Sequence, residues 1–181
     1  HRMSQKKITL DKKGDDFDVV IPSRSLREFT AVFTDEIETV EVFFANNQLL
    51  FRSENISFYT RLLEGNYPYT DRLIPTEFSS VVTFNTNNLR HAMERSRLLS
   101  NATQNGTVKL EIVKGIVSAH VHSPEVGRVN AEIDTESVSG EDLTISFNPT
   151  YLIEALKAVD SEKVTISFIS AVRPFTLVPS E

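Results

Sequence analysis

Ile21-Pro22-Ser23-Arg24-Ser25-Leu26, Phe84-Asn85-Thr86-Asn87-Asn88-Leu89 and Phe147-Asn148-Pro149-Thr150-Tyr151-Leu152 are three copies of one short module. Each closes a β-branched or aromatic run and opens a helical pattern. Pro22, Asn85 and Asn148 stand 63 residues apart at each step, as do Leu26, Leu89 and Leu152. Alternating runs follow each helix: Val40-Glu41-Val42-Phe43, Val108-Lys109-Leu110-Glu111-Ile112 and Val164-Thr165-Ile166-Ser167-Phe168. A fixed period of this size marks an array of one supersecondary unit. Function is then expected on surfaces the array creates, not in one catalytic cleft.

The first helix is expected over residues 23–33, with Leu26, Phe29 and Phe33 on one face and Arg24, Arg27 and Glu28 on the other. The second, over 87–100, buries Leu89, Ala92, Met93 and Ser96 and turns Arg90, Glu94 and Arg97 outward. The third, over 149–159, buries Leu152, Ala155, Leu156 and Val159. Asn85 or Thr86 can cap the second helix, and Asn148 places a capping side chain before the first-turn Pro149.

Between helices the period becomes two. Asn46-Asn47 supplies a turn between Val40–Phe44 and Leu49–Phe51, and Lys114-Gly115 and the Arg173-Pro174 region mark the equivalent places later. Residues 56–63 and 127–133 read as further strands, and two short strand-like runs, 6–10 and 17–21, precede the first helix. The stretch from Gly65 to Pro75 is aperiodic, carries two prolines and is the linker candidate. The last copy stops at Glu181, short of the third and fourth strands of its predecessors, as expected for a piece of a longer repeat chain.

The chain has 181 residues, 40% hydrophobic and 24% charged, enough for one large domain or two small ones. No run approaches the roughly 20 apolar residues of a membrane span, and no signal-peptide pattern opens the chain. It has no cysteine, so thiol chemistry and a disulfide scaffold are excluded, and a cytoplasmic location is expected. The net charge of −6 argues against whole-surface binding to nucleic acid or anionic membrane, but not against a local basic stripe.

Catalytic motifs are missing: there is no glycine-rich phosphate loop, G-x-S-x-G or HExxH. His120 and His122 alternate on one strand and can face the same side, but no third ligand sits at a plausible spacing. Asp15-Asp16 reads as a turn, and the sequons at Asn55, Asn101 and Asn105 as chance in an Asn-rich chain. Solvated strand residues are the better explanation for the remaining carboxylates. Neither a metal nor a cofactor is expected.

Charge is nevertheless uneven. The helices carry Arg24, Arg27, Arg90, Arg95, Arg97 and Lys157 against Glu28, Glu94 and Glu154, a net of +3, which leaves −9 for the rest. Equivalent helices of stacked modules would share one side and give a positive face, able to hold a polyanion without reading its sequence. The plainer explanation is that these side chains only solvate amphipathic helices. Leu98 is a second oddity: projected at about 100° per residue it lies opposite Leu89, and with Leu99 it makes a candidate association patch at the helix end.

These features, taken with several local motifs, resemble the bacterial sliding clamp family, the beta subunit of DNA polymerase III, of a low-GC Gram-positive type. His1-Arg2-Met3-Ser4 is similar to the end of the family's Thr-Asp-x-His-Arg-Leu motif. Leu63-Glu64-Gly65-Asn66-Tyr67-Pro68 followed by Arg72-Leu73-Ile74-Pro75 resembles its glycine, aromatic-proline, arginine and proline segment. Leu98-Leu99-Ser100-Asn101 and Phe147-Asn148 with Tyr151-Leu152 also match, so the similarity covers the whole chain. The resemblance implies an α+β DNA-clamp fold: repeated strand–helix–strands modules with helices on one face of antiparallel sheets. Family protomers hold three domains of two modules each, and two protomers close a homodimer ring on duplex DNA. By that comparison residues 1–75 are the second half of the middle domain with a linker, and residues 76–181 the C-terminal domain without its closing strand.

The resemblance also assigns roles. The family's pocket for short linear motifs of the replicative polymerase, clamp loader and repair proteins falls between two domains, at His1, Arg2, Met3, Pro68, Arg72, Leu73, Val172 and Pro174. Leu73 stands where the family often has valine, and Pro174 replaces a small polar residue. Arg24, Arg90 and His91 match DNA-facing helix positions, with Arg27 and Arg97 on the same basic helices, and Leu98 and Leu99 match the helix end that meets the other protomer. The expectation is a non-catalytic processivity factor with no membrane partner. The competing reading is a repeat-built protein-interaction module whose basic helices only solvate its surface.

Overall fold

The computed structural model describes residues 2–9, 14, 16–65, 67–100, 106–123 and 127–180; readings that fall on His1, Leu10, Asp15, Asn66, Asn101 and Asn105 lie outside them. The chain divides into two compact units, Ser4–Tyr69 and a larger one of Thr70–Glu181 joined by His1–Met3.

The smaller unit holds one module. Helix α1 (Ser23–Val32) is followed by strands β1 (Glu41–Ala45), β2 (Gln48–Ser53) and β3 (Ile56–Arg61) in an antiparallel meander. Asn46 and Asn47 both adopt left-handed backbone (φ 48° and 62°) between the paired Ala45 and Gln48, the two-residue hairpin that their side chains tolerate. Phe29 of α1 stacks 4.4 Å from Phe51 and 4.5 Å from Phe33, centroid to centroid. Phe51 and Phe58 face each other across β2 and β3. Leu26 is exposed, so the helix is seated by its phenylalanines instead of the expected three-residue stripe.

The runs 6–10 and 17–21 were expected as strands; the described part of each is irregular. In the larger unit a module's leading strand pairs with the other module's meander, and this unit has a single module. Among the described residues, a backbone bond from the Leu63 N–H to the Val20 carbonyl at 2.8 Å holds the second run.

The larger unit holds two modules: β4 (Ser80–Asn85), α2 (Thr86–Ser100), β5 (Val108–Val113), β6 (Ile116–Ser123) and β7 (Gly127–Glu132), then β8 (Ser137–Gly140), β9 (Leu143–Phe147), α3 (Pro149–Lys157), β10 (Lys163–Phe168) and β11 (Thr176–Ser180). Their leading strands are exchanged. β4 pairs with β10, Phe84 opposite Val164, in the sheet β11-β10-β4-β8; β9 pairs with β5, Phe147 opposite Val108, in the sheet β7-β6-β5-β9. The two modules are therefore interlocked, and α2 and α3 pack against each other.

The core lies under these helices: Val82, Phe84, Leu89, Met93, Val108, Leu110, Leu152, Ile153, Leu156, Val164 and Ile166 are all buried. Burying each large side chain contributes about 1.5–3 kcal/mol. The α2 stripe of Leu89, Ala92, Met93 and Ser96 is as expected. On α3 the buried face is Pro149, Leu152, Ile153 and Leu156, whereas Ala155 is exposed and Val159 half-buried. The stripe sits one residue round because Ile153 buries more apolar area than Ala155 would.

Candidate functional site

Two short elements aim the candidate side chains. Asn85 Oδ1 accepts from the Asn87 and Asn88 amides at 3.1 Å and starts α2, while Thr86 Oγ1 donates to the Ser161 carbonyl instead of capping. Asn148 Oδ1 accepts from the Thr150 amide at 2.9 Å, with Pro149 in the first turn of α3. α1 has Pro22 at the same place and no side-chain cap.

The basic side chains differ in freedom. On α1, Arg24 Nε donates to Glu28 Oε1 at 2.9 Å across one turn, and Arg27 is exposed. On α2, His91 Nδ1 lies 3.4 Å from Glu94 Oε2. Arg90, Glu94 and Arg97 lie off the buried stripe of α2, as expected, and are half-buried there. Arg90 Nε is buried without a hydrogen-bond partner among the described residues. Leu98 is 70% exposed on the side away from the core, and Leu99 packs partly against it.

In the larger unit, Arg2 is laid on α3. Its Nη1 donates to Glu154 Oε2, and its guanidinium carbon sits 5.0 Å above the centre of the Tyr151 ring. Tyr151 and Glu154 are one turn apart on the exposed side of the helix. From sequence Tyr151 is only a motif residue and Glu154 only a helix charge. Their spacing was visible, but nothing local could place Arg2, 152 residues away from Glu154 in the chain, on that turn.

Met3 is exposed, as are Arg72 and Leu73 in a 3-10 turn, Thr70–Leu73, and Val172 and Pro174 in the loop before β11. Leu73 is 67% and Val172 91% exposed. Pro68, in the smaller unit, is also exposed.

The outward face of the β7-β6-β5-β9 sheet carries a polar ladder. Lys109 and His120 are paired across β5 and β6, and His120 and Asn130 across β6 and β7. His120 Nδ1 lies 2.8 Å from Asn130 Oδ1; its Nε2 is 3.0 Å from Glu111 Oε2 but off the hydrogen-bond direction. Lys109 pairs with Glu111 and, by hydrogen bond and charge, holds that carboxyl below its ordinary range, with His120 adding to the effect. The His120 ring is thus held by the Asn130 amide beside the Glu111 carboxylate, and no group of three metal-ligating side chains forms among the described residues. No described helix is long and apolar enough to cross a membrane.

Interlocked strand–helix–strand modules, with paired helices over antiparallel sheets, define the clamp class of fold. The sequence model of the DNA polymerase III beta subunit central domain matches residues 1–69, and that of its C-terminal domain matches residues 71–181. The chain belongs to the DNA polymerase III beta subunit family. It is 81% identical over 181 residues to the beta sliding clamp of Streptococcus pneumoniae, covering 100% of this chain and 48% of that protein. The crystal structure of the DNA polymerase III beta chain from Streptococcus pneumoniae TIGR4 superimposes with a TM-score of 0.93 at 80% identity, over 96% of this chain and 46% of that one. The DNA polymerase sliding clamp of Bacillus subtilis gives 0.88 at 36% identity, over 94% and 45%. The chain spans about half the length of the curated relatives it matches.

Proposed function

We propose that this protein is a DNA sliding clamp, a non-catalytic processivity subunit that encircles duplex DNA as a homodimer ring and tethers the replicative polymerase, the clamp loader and repair proteins. The observation that carries the reading is the end-to-end match to the central and C-terminal domains of the DNA polymerase III beta subunit. The helical basic residues Arg24, Arg27, Arg90, His91 and Arg97 are the proposed DNA side. A surface meant to slide needs sequence-blind phosphate contacts, which arginines supply without base readout. His1, Arg2, Met3, Pro68, Arg72, Leu73, Val172 and Pro174 are the proposed peptide-binding residues. Support comes from the exposure of Met3, Leu73 and Val172, apolar side chains that a peptide's hydrophobic anchors would cover. Leu98 and Leu99 are proposed to close the ring, and the whole to work in the cytoplasm.

The test is topological. Loaded on nicked circular duplex, the protein should stay bound through gel filtration and be released when the circle is cut once. Equal retention on circular and linear DNA would overturn the encircling mechanism.

A further inference from the structure

We propose that Asn130, on the edge strand β7, is a proton-operated rotor: its side-chain amide accepts from His120 while the imidazole is charged and turns over to donate once the ring is neutral. Two contacts carry the inference. His120 Nδ1 lies 2.8 Å from Asn130 Oδ1, and His120 Nε2 lies 3.0 Å from Glu111 Oε2, with the side chains of His120 and Glu111 each 27% exposed. The three residues span three adjacent strands: His120 on β6 stands opposite Asn130 on β7, and Glu111 on β5 is one row along the same face.

A charged ring has a proton on each nitrogen, which suits an acceptor on both sides, the carboxylate at Nε2 and the amide oxygen at Nδ1. A neutral ring has one proton, and the two neighbours compete for it. Glu111 wins because Lys109 keeps it ionised, and a hydrogen bond to a charged acceptor is stronger than one to an amide oxygen. A bare Nε2 would set its lone pair against the carboxylate, and that atom is buried with no hydrogen-bond partner among the described residues. The proton therefore stays on Nε2, where a small turn of the carboxylate completes the bond, and Nδ1 becomes an acceptor facing an acceptor. A half-turn of the Asn130 amide relieves this by bringing its NH2 group to Nδ1. Asn130 is exposed, so water takes up whichever half of the amide faces outward, and the sheet edge changes from showing an N–H donor to showing a carbonyl acceptor. The other charged or titratable groups on this face are Lys109 on β5, His122 on β6, and Arg128 and Glu132 on β7, while Thr144 and Ser146 of β9 carry no charge.

The test is nitrogen-15 NMR of the H122Q protein, which removes the neighbouring titration, from about pH 5 to 8, where imidazole ordinarily changes charge. A bare ring nitrogen resonates far downfield of a protonated one, so the position of the proton is read directly. At the upper end of that range the Nε2–H form should exceed the Nδ1–H form about tenfold or more, the scale of a hydrogen bond to a charged acceptor. The Asn130 NH2 protons should shift with the same midpoint as the ring. Adding N130D, whose carboxylate can only accept, should keep Nδ1 protonated where the parent has lost that proton. Adding E111M, which has no acceptor, should reduce the excess of the Nε2–H form about tenfold. A neutral ring with its proton on Nδ1 overturns the inference, as does an Asn130 amide that stays unmoved while the ring titrates. The same neutral tautomer in N130D as in its parent would remove Asn130 from the device, and an unchanged ratio in E111M would remove Glu111.

Discussion

Gly140 ends β8 at φ +95°, and Gly127 opens β7 at φ +96°; the two share a positive φ and differ in what surrounds them. Among the described residues a Cβ on Gly127 would meet nothing within 4 Å, whereas one on Gly140 would lie 2.0 Å from the Ser79 carbonyl oxygen and 2.8 Å from Ser80 Cα. The obstruction is backbone, and it is anchored: the Glu141 amide donates to the Ser79 carbonyl at 2.9 Å and Ser80 Oγ donates to the Glu141 carbonyl at 2.6 Å. Ala at either glycine carries the strain of a sparsely populated φ, about 1–3 kcal/mol. At Gly140 overpacking adds about 1–3 kcal/mol, because the turn into β9 must move away from β4. Gly127→Ala is therefore expected to cost about 1–3 kcal/mol and Gly140→Ala about 2–6 kcal/mol, the latter a large share of a typical stability. Urea denaturation should show both midpoints falling at constant m, with Gly140→Ala well below Gly127→Ala. Equal midpoints would refute the reasoning, since the strain is common to both and only the clash separates them.

Asn148→Ala should cost about 1 kcal/mol by leaving the Thr150 amide uncapped, while Asn148→Ser should keep most of it; indistinguishable denaturation curves for Ala, Ser and wild type would contradict this. Glu111 should titrate below an ordinary carboxylate in a carbon-detected NMR series, because Lys109 hydrogen-bonds its charged form, and Lys109→Met should raise its midpoint. With the folded value depressed, its contribution is present above the unfolded value and is lost as pH falls through the folded one; a midpoint unmoved by Lys109→Met would rule that cause out. In the proposed ring, truncating Leu98 and Leu99 to Ala should weaken dimerisation by at least about fivefold, the effect of losing an anchor above 1 kcal/mol. Sedimentation at limiting concentration would show it, and an unchanged dimer would remove these residues from the interface.

Elements decided by nearby residues were legible. Asn46-Asn47 and Lys114-Gly115 read as tight turns because few residue types accept left-handed backbone, and both are two-residue hairpins (φ 50° and 81° at the second). Leu89, Ala92, Met93 and Ser96 read as one stripe because their spacing matches the helical period, and they are buried together. Ala155 was misplaced because neighbouring stripes on α3 are both apolar, and only packing chose the one with Ile153. The runs 6–10 and 17–21 have strand composition, but composition supplies no partner, and their described residues form no strand.

The sequence by itself determined the period of 63 residues, the helix starts at Asn85 and Asn148, the hairpin turns, the family and the residues that carry its motifs. All of these are local, or repeat at fixed spacing. Tertiary structure decided which strands pair. The leading strands β4 and β9 are apolar and extended in either arrangement, and their exchange between sheets is set by competition among distant partners for hydrogen bonds and buried area. It likewise decided that Arg2 rests on Tyr151 and Glu154, because a contact across 152 residues depends on where the whole chain returns and not on anything its neighbours encode.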